Sequence, residues 1–196
     1  LDIPFQSYSE SQFFEFGRDE LTADEHATPD RSRSERLWGH AGLRPVSAPG
    51  EFAGSPLLAY RWAATDAALR DQLELGDAGH PGWLEPGYAA VRYANPSTGK
   101  DVLPTIRTEM HRVRRGTQTT PVKTVGSAVY QVFNGAGRVR VGSHSWSVTR
   151  GDMFVVPSWT AISITSEASA DDSDSGALDL FRFSDEPIFE ALGLHR

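Results

Sequence analysis

The sequence predicts an all-β domain of short antiparallel strands, preceded by an irregular arm with a short helix. Three observations carry this expectation. Strand-like segments follow one another at short intervals from Leu103 onward, and the pairs Asn134-Gly135, Gly142-Ser143 and Arg150-Gly151 punctuate them. Asn-Gly between apolar runs is a strong local turn signal, and many short strands with frequent turns indicate a sandwich or barrel. Residues 1–100 differ in texture, being rich in Gly, Pro, Ser and charge. The expected division is an arm over 1–100 and a β domain over 101–196.

Within the arm, Ser11–Phe16 is too short to classify by periodicity, and Pro29–His40 carries five charges around Leu37 and Trp38. It reads as a solvated arm held by that apolar pair. One stretch is convincingly helical: Thr65 is placed to cap "TDAALRDQLEL", with Ala68, Leu69, Leu73 and Leu75 as its apolar stripe and Gly76 as its stop. Tyr88–Asp101 reads as a short strand ending in a Pro-Ser-Thr-Gly turn. The sparse aromatics Phe13, Phe14, Trp38, Trp62 and Trp83 are the expected anchors of the arm on the domain beyond it.

From residue 103 the strand candidates are "TIRTEMHRV", "AVYQVF", "RVRVG", "HSWSV", "DMFVVP", "AISIT" and "ALDLFRF". Arg138 and Arg140 alternate with Val139 and Val141, the period of a half-buried antiparallel strand. Ser166–Gly176 is an acidic low-complexity segment and reads as a solvated hairpin tip. "SDEPIFEALGL" reads as a short helix capped by Ser184, with Pro187 in its first turn and Gly193 near its stop.

Composition excludes several functions. The formal net charge of −7 in 196 residues, with arginines scattered among acids, gives no electrostatic case for nucleic acid. There is no cysteine, hence no disulfide and no thiolate metal site, which suits a reducing cytoplasm. No apolar run approaches the roughly 20 residues of a membrane-spanning helix. Leu1 opens a strand-like stretch without a basic leader, and reads equally as the start of a fragment or as a trimmed terminus.

The stretch from Gly116 to Gly135 has a metal site's outline without its donors. Gly116, Val122, Thr124, Ala128 and Gly135 fit the spacing G-x5-H-x-H-x3-E-x6-G throughout, and Gly151, Pro157, Trp159, Ile162 and Ser166 fit G-x5-P-x-G-x2-H-x3-N. These are the two signatures of the cupins, small jelly-roll barrels, which the β region therefore resembles. At the ligand positions stand Val122, Thr124, Ala128 and Ile162. Val, Ala and Ile offer no lone pair, a Thr hydroxyl is a poor sole ligand, and a non-haem iron needs converging imidazoles or carboxylates. Val and Ile suit the interior of a barrel instead. Nor do the histidines rebuild a site: His111 and His144 show no partner at ligand spacing, and His26, His40, His80 and His195 lie in arm, loop or tail. No catalytic residue is assigned, and no nucleophile elbow or phosphate loop is present.

The resemblance narrows further. "LDIP", "RSRSERLWGHAGLRP", "RYANPSTGKDVLPTI", "GDMFVVPSW" and "LFRFSDEPIFEALGL" look like gentisate 1,2-dioxygenase, in the same order and over nearly the whole chain. Relatives acting on salicylate and 1-hydroxy-2-naphthoate share much of the pattern. The resemblance implies a bicupin in which Fe(II), held by the N-terminal barrel, opens the ring of an aromatic acid with O2, giving maleylpyruvate from gentisate. It implies that this chain is the second half: residues 1–100 as the end of the first barrel plus a connecting arm and helix, and 101–196 as a metal-free second barrel with a terminal helix. No cofactor is implied in the chain itself. The implied partners are the N-terminal catalytic cupin and like subunits. An alternative is a stand-alone cupin that holds a small apolar or aromatic ligand. Asp2 falls where the family's chain passes near the substrate pocket; a strand-end cap is the simpler role for it.

Overall fold

In the computed structural model, residues 31–48, 50–167 and 177–194 are described. Ser11–Phe16, Phe13, Phe14, Asp2, His26, His195 and most of the acidic segment lie outside them. The elements run α1 (Arg33–Trp38), α2 (Trp62–Asp77), β1 (Tyr88–Arg92), β2 (Arg107–Arg114), β3 (Ala128–Asn134), β4 (Ala136–Val141), β5 (His144–Thr149), β6 (Met153–Val156), β7 (Ile162–Ser166), β8 (Ala177–Ser184) and α3 (Glu186–Ala191).

The strands form two antiparallel sheets, five strands in the order β1-β2-β8-β3-β6 and three in the order β5-β4-β7. The isolated bridges Gln118↔Thr165 and Val122↔Ile162 lay the segment before β3 along the free side of β7. Facing residues of the two sheets make one core, in which Val113, Val132, Val139, Val148, Leu178 and Leu180 are wholly or almost wholly buried. Alternation puts these residues inside and Arg138 and Arg140 outside. The expected fold class is thus present: mostly β, in two antiparallel sheets with few helices.

The turn glycines of the spacing frame have a backbone reason to be there. Gly116, Gly135 and Gly151 stand at φ of 74°, 82° and 94°, in the left-handed region that side chains with a Cβ avoid. At Gly135 a Cβ would also meet the Ala177 carbonyl oxygen at 2.3 Å. This hairpin glycine lets β3 turn into β4 directly against β8.

A smaller core lies on the outer face of the large sheet, where Leu69 and Leu73 of α2 pack on Ala89 and Met110, with Val91, Tyr93 and Phe181 around them. Here the structure corrects several expectations. Helix α2 starts at Trp62, not after Thr65, and its N-cap Arg61 makes no side-chain cap bond. Thr65 is buried inside the helix and its hydroxyl lies 3.2 Å from the Tyr93 hydroxyl, so a residue that looked like a cap joins helix to sheet. Leu75 is exposed, and Gly76 lies within the helix, buried under the Glu85 carbonyl. Ser184 ends β8 instead of capping α3; the N-cap is Asp185, whose Oδ1 accepts a 2.6 Å bond from Ser127 N. Ser166 belongs to β7 and is buried, so the acidic segment starts after it. Trp83 is 80% exposed and anchors nothing among the described residues.

The arm around Trp38 is also more ordered than its charge suggests. Ser32 caps α1 in a reciprocal capping box with Glu35. Trp38 is buried edge-on to Phe52, while Leu37 is exposed. Arg61 ion-pairs with the buried Glu35 and ties α1 to the start of α2. That hydrogen-bonded pairing, first of all, holds the Glu35 carboxyl down at about 2 against the upward push of burial.

Candidate functional site

The four positions at ligand spacing are distributed unevenly. Val122 and Ile162 are bridge partners that exchange backbone bonds, Val122 N to Ile162 O at 3.0 Å and Ile162 N to Val122 O at 2.9 Å. Residues directly opposite in an antiparallel pair present their side chains on the same face. Ile162 is buried in the main core and Val122 is 51% exposed. Ala128 opens β3, buried between Val156 of β6 and Ser184 of β8. Thr124 is exposed, and its carbonyl accepts a 2.8 Å bond from Trp159 N. The structure thus places Ala128 and Ile162 in one core, sets Val122 beside Ile162, and leaves Thr124 at the rim.

Trp159 adds a local strain. It has φ 62° and is the one non-glycine with positive φ among the described residues. It stands where the cupin spacing carries glycine. The fold has kept the left-handed turn before β7 although the side chain does not favour it.

The donor set does not fit iron. Three of the four side chains are hydrocarbon, and their packing in or beside an apolar core makes burial of a divalent cation costly. Among the described residues no group of three or more His, Cys, Asp or Glu is arranged to hold a metal ion.

The chemistry-bearing groups gather at one end of the interior. On the inward face of β2 stand Glu109 and His111, opposite Arg182 and Leu180 of β8. His111 Nδ1 lies 2.7 Å from the Tyr88 hydroxyl, and His111 Nε2 lies 3.4 Å from Glu109 Oε2, too poorly aligned for a good hydrogen bond. Arg182 ion-pairs with both Glu109 and Glu186 and sits over the Tyr130 ring, with its guanidinium carbon 5.8 Å from the centroid. Tyr130 stacks on Phe154 at 5.1 Å. His111 was expected to have no partner at ligand spacing; the structure corrects this, because Glu109 two residues earlier shares its face. The i, i+2 spacing on a strand was the signal available.

Electrostatics ties this cluster together. Burial pushes the Glu109 carboxyl up, but the His111 contact and the Arg182 charge outweigh it and hold the carboxyl down at about 2. Burial, aided by Tyr130 and Glu109, pushes the Tyr88 phenol well above its ordinary value. Burial also pushes Tyr130 up to about 12, with Arg182 opposing. Glu109 therefore stays ionised and both phenols stay protonated near neutral pH. The guanidinium is paired with two carboxylates, and among the described residues of the cluster His111 Nε2 and Arg182 Nε are the buried ring and guanidinium nitrogens without a hydrogen-bond partner.

Two of the clefts on the outside of the described residues flank α2. One of about 640 Å³ runs between α2 and the β3–β4 hairpin, past Trp62, Phe133, Arg112 and Arg150. Its floor is fixed: Arg112 bonds Asp179 at 2.7 and 3.0 Å and Asp66 at 2.8 Å. The other, of about 1160 Å³, is lined by Trp38, Leu43, Tyr60, Val91 and Tyr93, among others. No described helix is long and apolar enough to cross a membrane.

Comparison with known proteins gives these features a set of relatives. No protein-family model matches the chain. Over all 196 residues the chain is 56% identical to a gentisate 1,2-dioxygenase from Streptomyces, of which it covers 52%. It is 30% identical, again over its whole length, to a 5-aminosalicylate 1,2-dioxygenase from Comamonas, of which it covers 48%. A solved salicylate 1,2-dioxygenase from Pseudoaminobacter salicylatoxidans, with gentisate bound, superposes with a TM-score of 0.78 at 51% identity, over 87% of this chain and 44% of that one. The chain thus spans about half the length of the relatives it matches. Along its whole length it is similar to the gentisate and 5-aminosalicylate 1,2-dioxygenases, and in fold to a salicylate 1,2-dioxygenase.

Proposed function

We infer that the chain is the C-terminal, metal-free cupin half of a gentisate 1,2-dioxygenase-type enzyme. Its work is to scaffold: to pack against the catalytic N-terminal cupin and to help build an oligomer of like subunits. The whole enzyme would bind Fe(II) in the other half and cleave the ring of an aromatic acid with O2. The observation that carries this reading is the match, along its full length, to relatives twice as long, together with hydrocarbon or hydroxyl side chains at all four ligand positions.

Packing supports this reading over that of a stand-alone ligand-binding module. Val132, Leu178 and Leu180 fill the interior, and the stacked Tyr130 and Phe154 close its polar end. The family's frame of turns and register is retained because it folds the domain.

The test is O2 uptake with gentisate and Fe(II). The chain alone should give none. The chain combined with the part of the Streptomyces relative that it does not match should give substrate-dependent uptake above that of this part alone. An equal rate with and without the chain would refute the scaffolding role.

A further inference from the structure

Among the described residues the five-stranded sheet is covered on its outer face mainly at one end. Helix α2 packs over the β1–β2 end, with Leu69 and Leu73 on Met110 and Phe181. At the other end Trp62 of α2 reaches Phe133 of β3, ring centroids 4.6 Å apart, and no described helix packs along the rest of β3 or over β6. The register makes two rows there, Phe183–Val129–Val155 and Phe181–Gln131–Met153, each running from β8 through β3 to β6. Directly paired residues share a face, so these side chains stand together on the outside. Met153 is 60% and Val155 58% exposed, Val129, between Val155 and Phe183, is half-buried, and Phe133, next but one along β3 from Gln131, is partly exposed beside Trp62. Among the described residues strand β6 pairs with β3 alone, at the edge of the sheet. A largely uncovered apolar sheet face beside an edge strand is what a folded chain covers with a partner.

We propose that the outer face of β3 and β6, centred on Val129, Met153 and Val155, is the surface that receives the other half of the dioxygenase polypeptide. This rests on the scaffold reading above and gives it a location. Two facts select the occupant. The relatives carry, beyond the part matched here, about as much chain again, since the match covers 52% and 48% of the two named. That is enough for a second domain with its own apolar face. The strip is also uncharged: its two rows hold Phe, Val, Met and Gln, whereas the β4–β5 surface carries Arg138, Arg140 and His144. An uncharged sheet face suits a lasting apolar contact within one polypeptide, not a steered encounter between charged surfaces.

The experiment co-expresses the tagged chain with the unmatched part of the Streptomyces relative. Three forms of the chain are compared: wild type, Met153→Lys/Val155→Lys, and Ser147→Lys on the exposed β5 surface as control. Circular dichroism verifies that each is folded, and sedimentation follows each chain by itself. Co-purification of wild type and control at one to one, reduced at least tenfold in the double variant, is the expected result. Equal co-purification of the double variant would overturn the location and leave the scaffold reading standing. Failure of the wild type to co-purify would overturn both. Self-association of the wild type that the double variant abolishes, without capture of the other half, would assign the face to a second copy and overturn the proposal.

Discussion

Val122 and Ile162 bond to each other's backbones in both directions, yet only Ile162 is buried, at 6% exposure. Two positions equivalent in the spacing frame therefore differ in energetic weight. Ile162→Ala should cost about 2–5 kcal/mol, as for other buried aliphatic truncations, whereas Val122→Ala should cost under about 1 kcal/mol. Urea denaturation of the two variants tests this. Equal costs would place Val122 inside the core.

The Glu109 carboxyl lies below its unfolded value, from 4.5 to about 2. Its contribution is thus complete above pH 4.5 and lost as pH falls from there towards 2. The full shift would correspond to about 3 kcal/mol. Glu109→Gln should flatten the stability profile in that acid window. Near neutral pH it should be destabilising, because Arg182 keeps only Glu186 as a carboxylate partner. Chemical denaturation across pH 2–6 is the measurement; parallel curves for wild type and variant would contradict this assignment.

Trp159 holds a left-handed backbone that glycine adopts freely. Its side chain is more than half exposed, so little packing is lost on removal. Trp159→Gly should leave the domain as stable or up to about 1 kcal/mol more stable, while Trp159→Val should destabilise it. Thermal unfolding of both decides the matter. A clear loss with glycine would mean that the indole makes contacts worth more than the strain.

Since Val122 and Ile162 are cross-strand partners, Val122→His/Ile162→His should create a two-imidazole site at the rim. Zn(II) should raise the melting temperature of this variant and not that of the wild type. Adding Thr124→His should strengthen the effect if its side chain shares the site. No zinc-dependent shift would separate the two positions and break the correspondence with the cupin spacing.

Much of the β architecture was legible because it is written locally. The turns at Asn134-Gly135 and Arg150-Gly151 and the alternation at Arg138–Val141 lie within a few residues of one another. The arm was harder. Glu35 and Ser32 carry a capping box in plain view, but the surrounding charge hid a helix of only six residues. Thr65 looked like a cap because Thr often is one; its bond to Tyr93 depends on a sheet 28 residues away. The Glu109–His111–Arg182 cluster needed the pairing of β2 with β8, which no local pattern specifies. Val122 and Ile162 were found by spacing alone, and spacing carries no information about which of the two is buried.

Iron content tests the central claim most directly. The chain is produced in iron-rich medium, purified without chelator, and analysed for bound iron before and after anaerobic Fe(II) loading, with gentisate turnover measured on the same sample. A metal-free scaffold half should retain far less than one iron per chain and give no ring cleavage. Stoichiometric iron together with O2-dependent formation of maleylpyruvate by the chain alone would contradict the account.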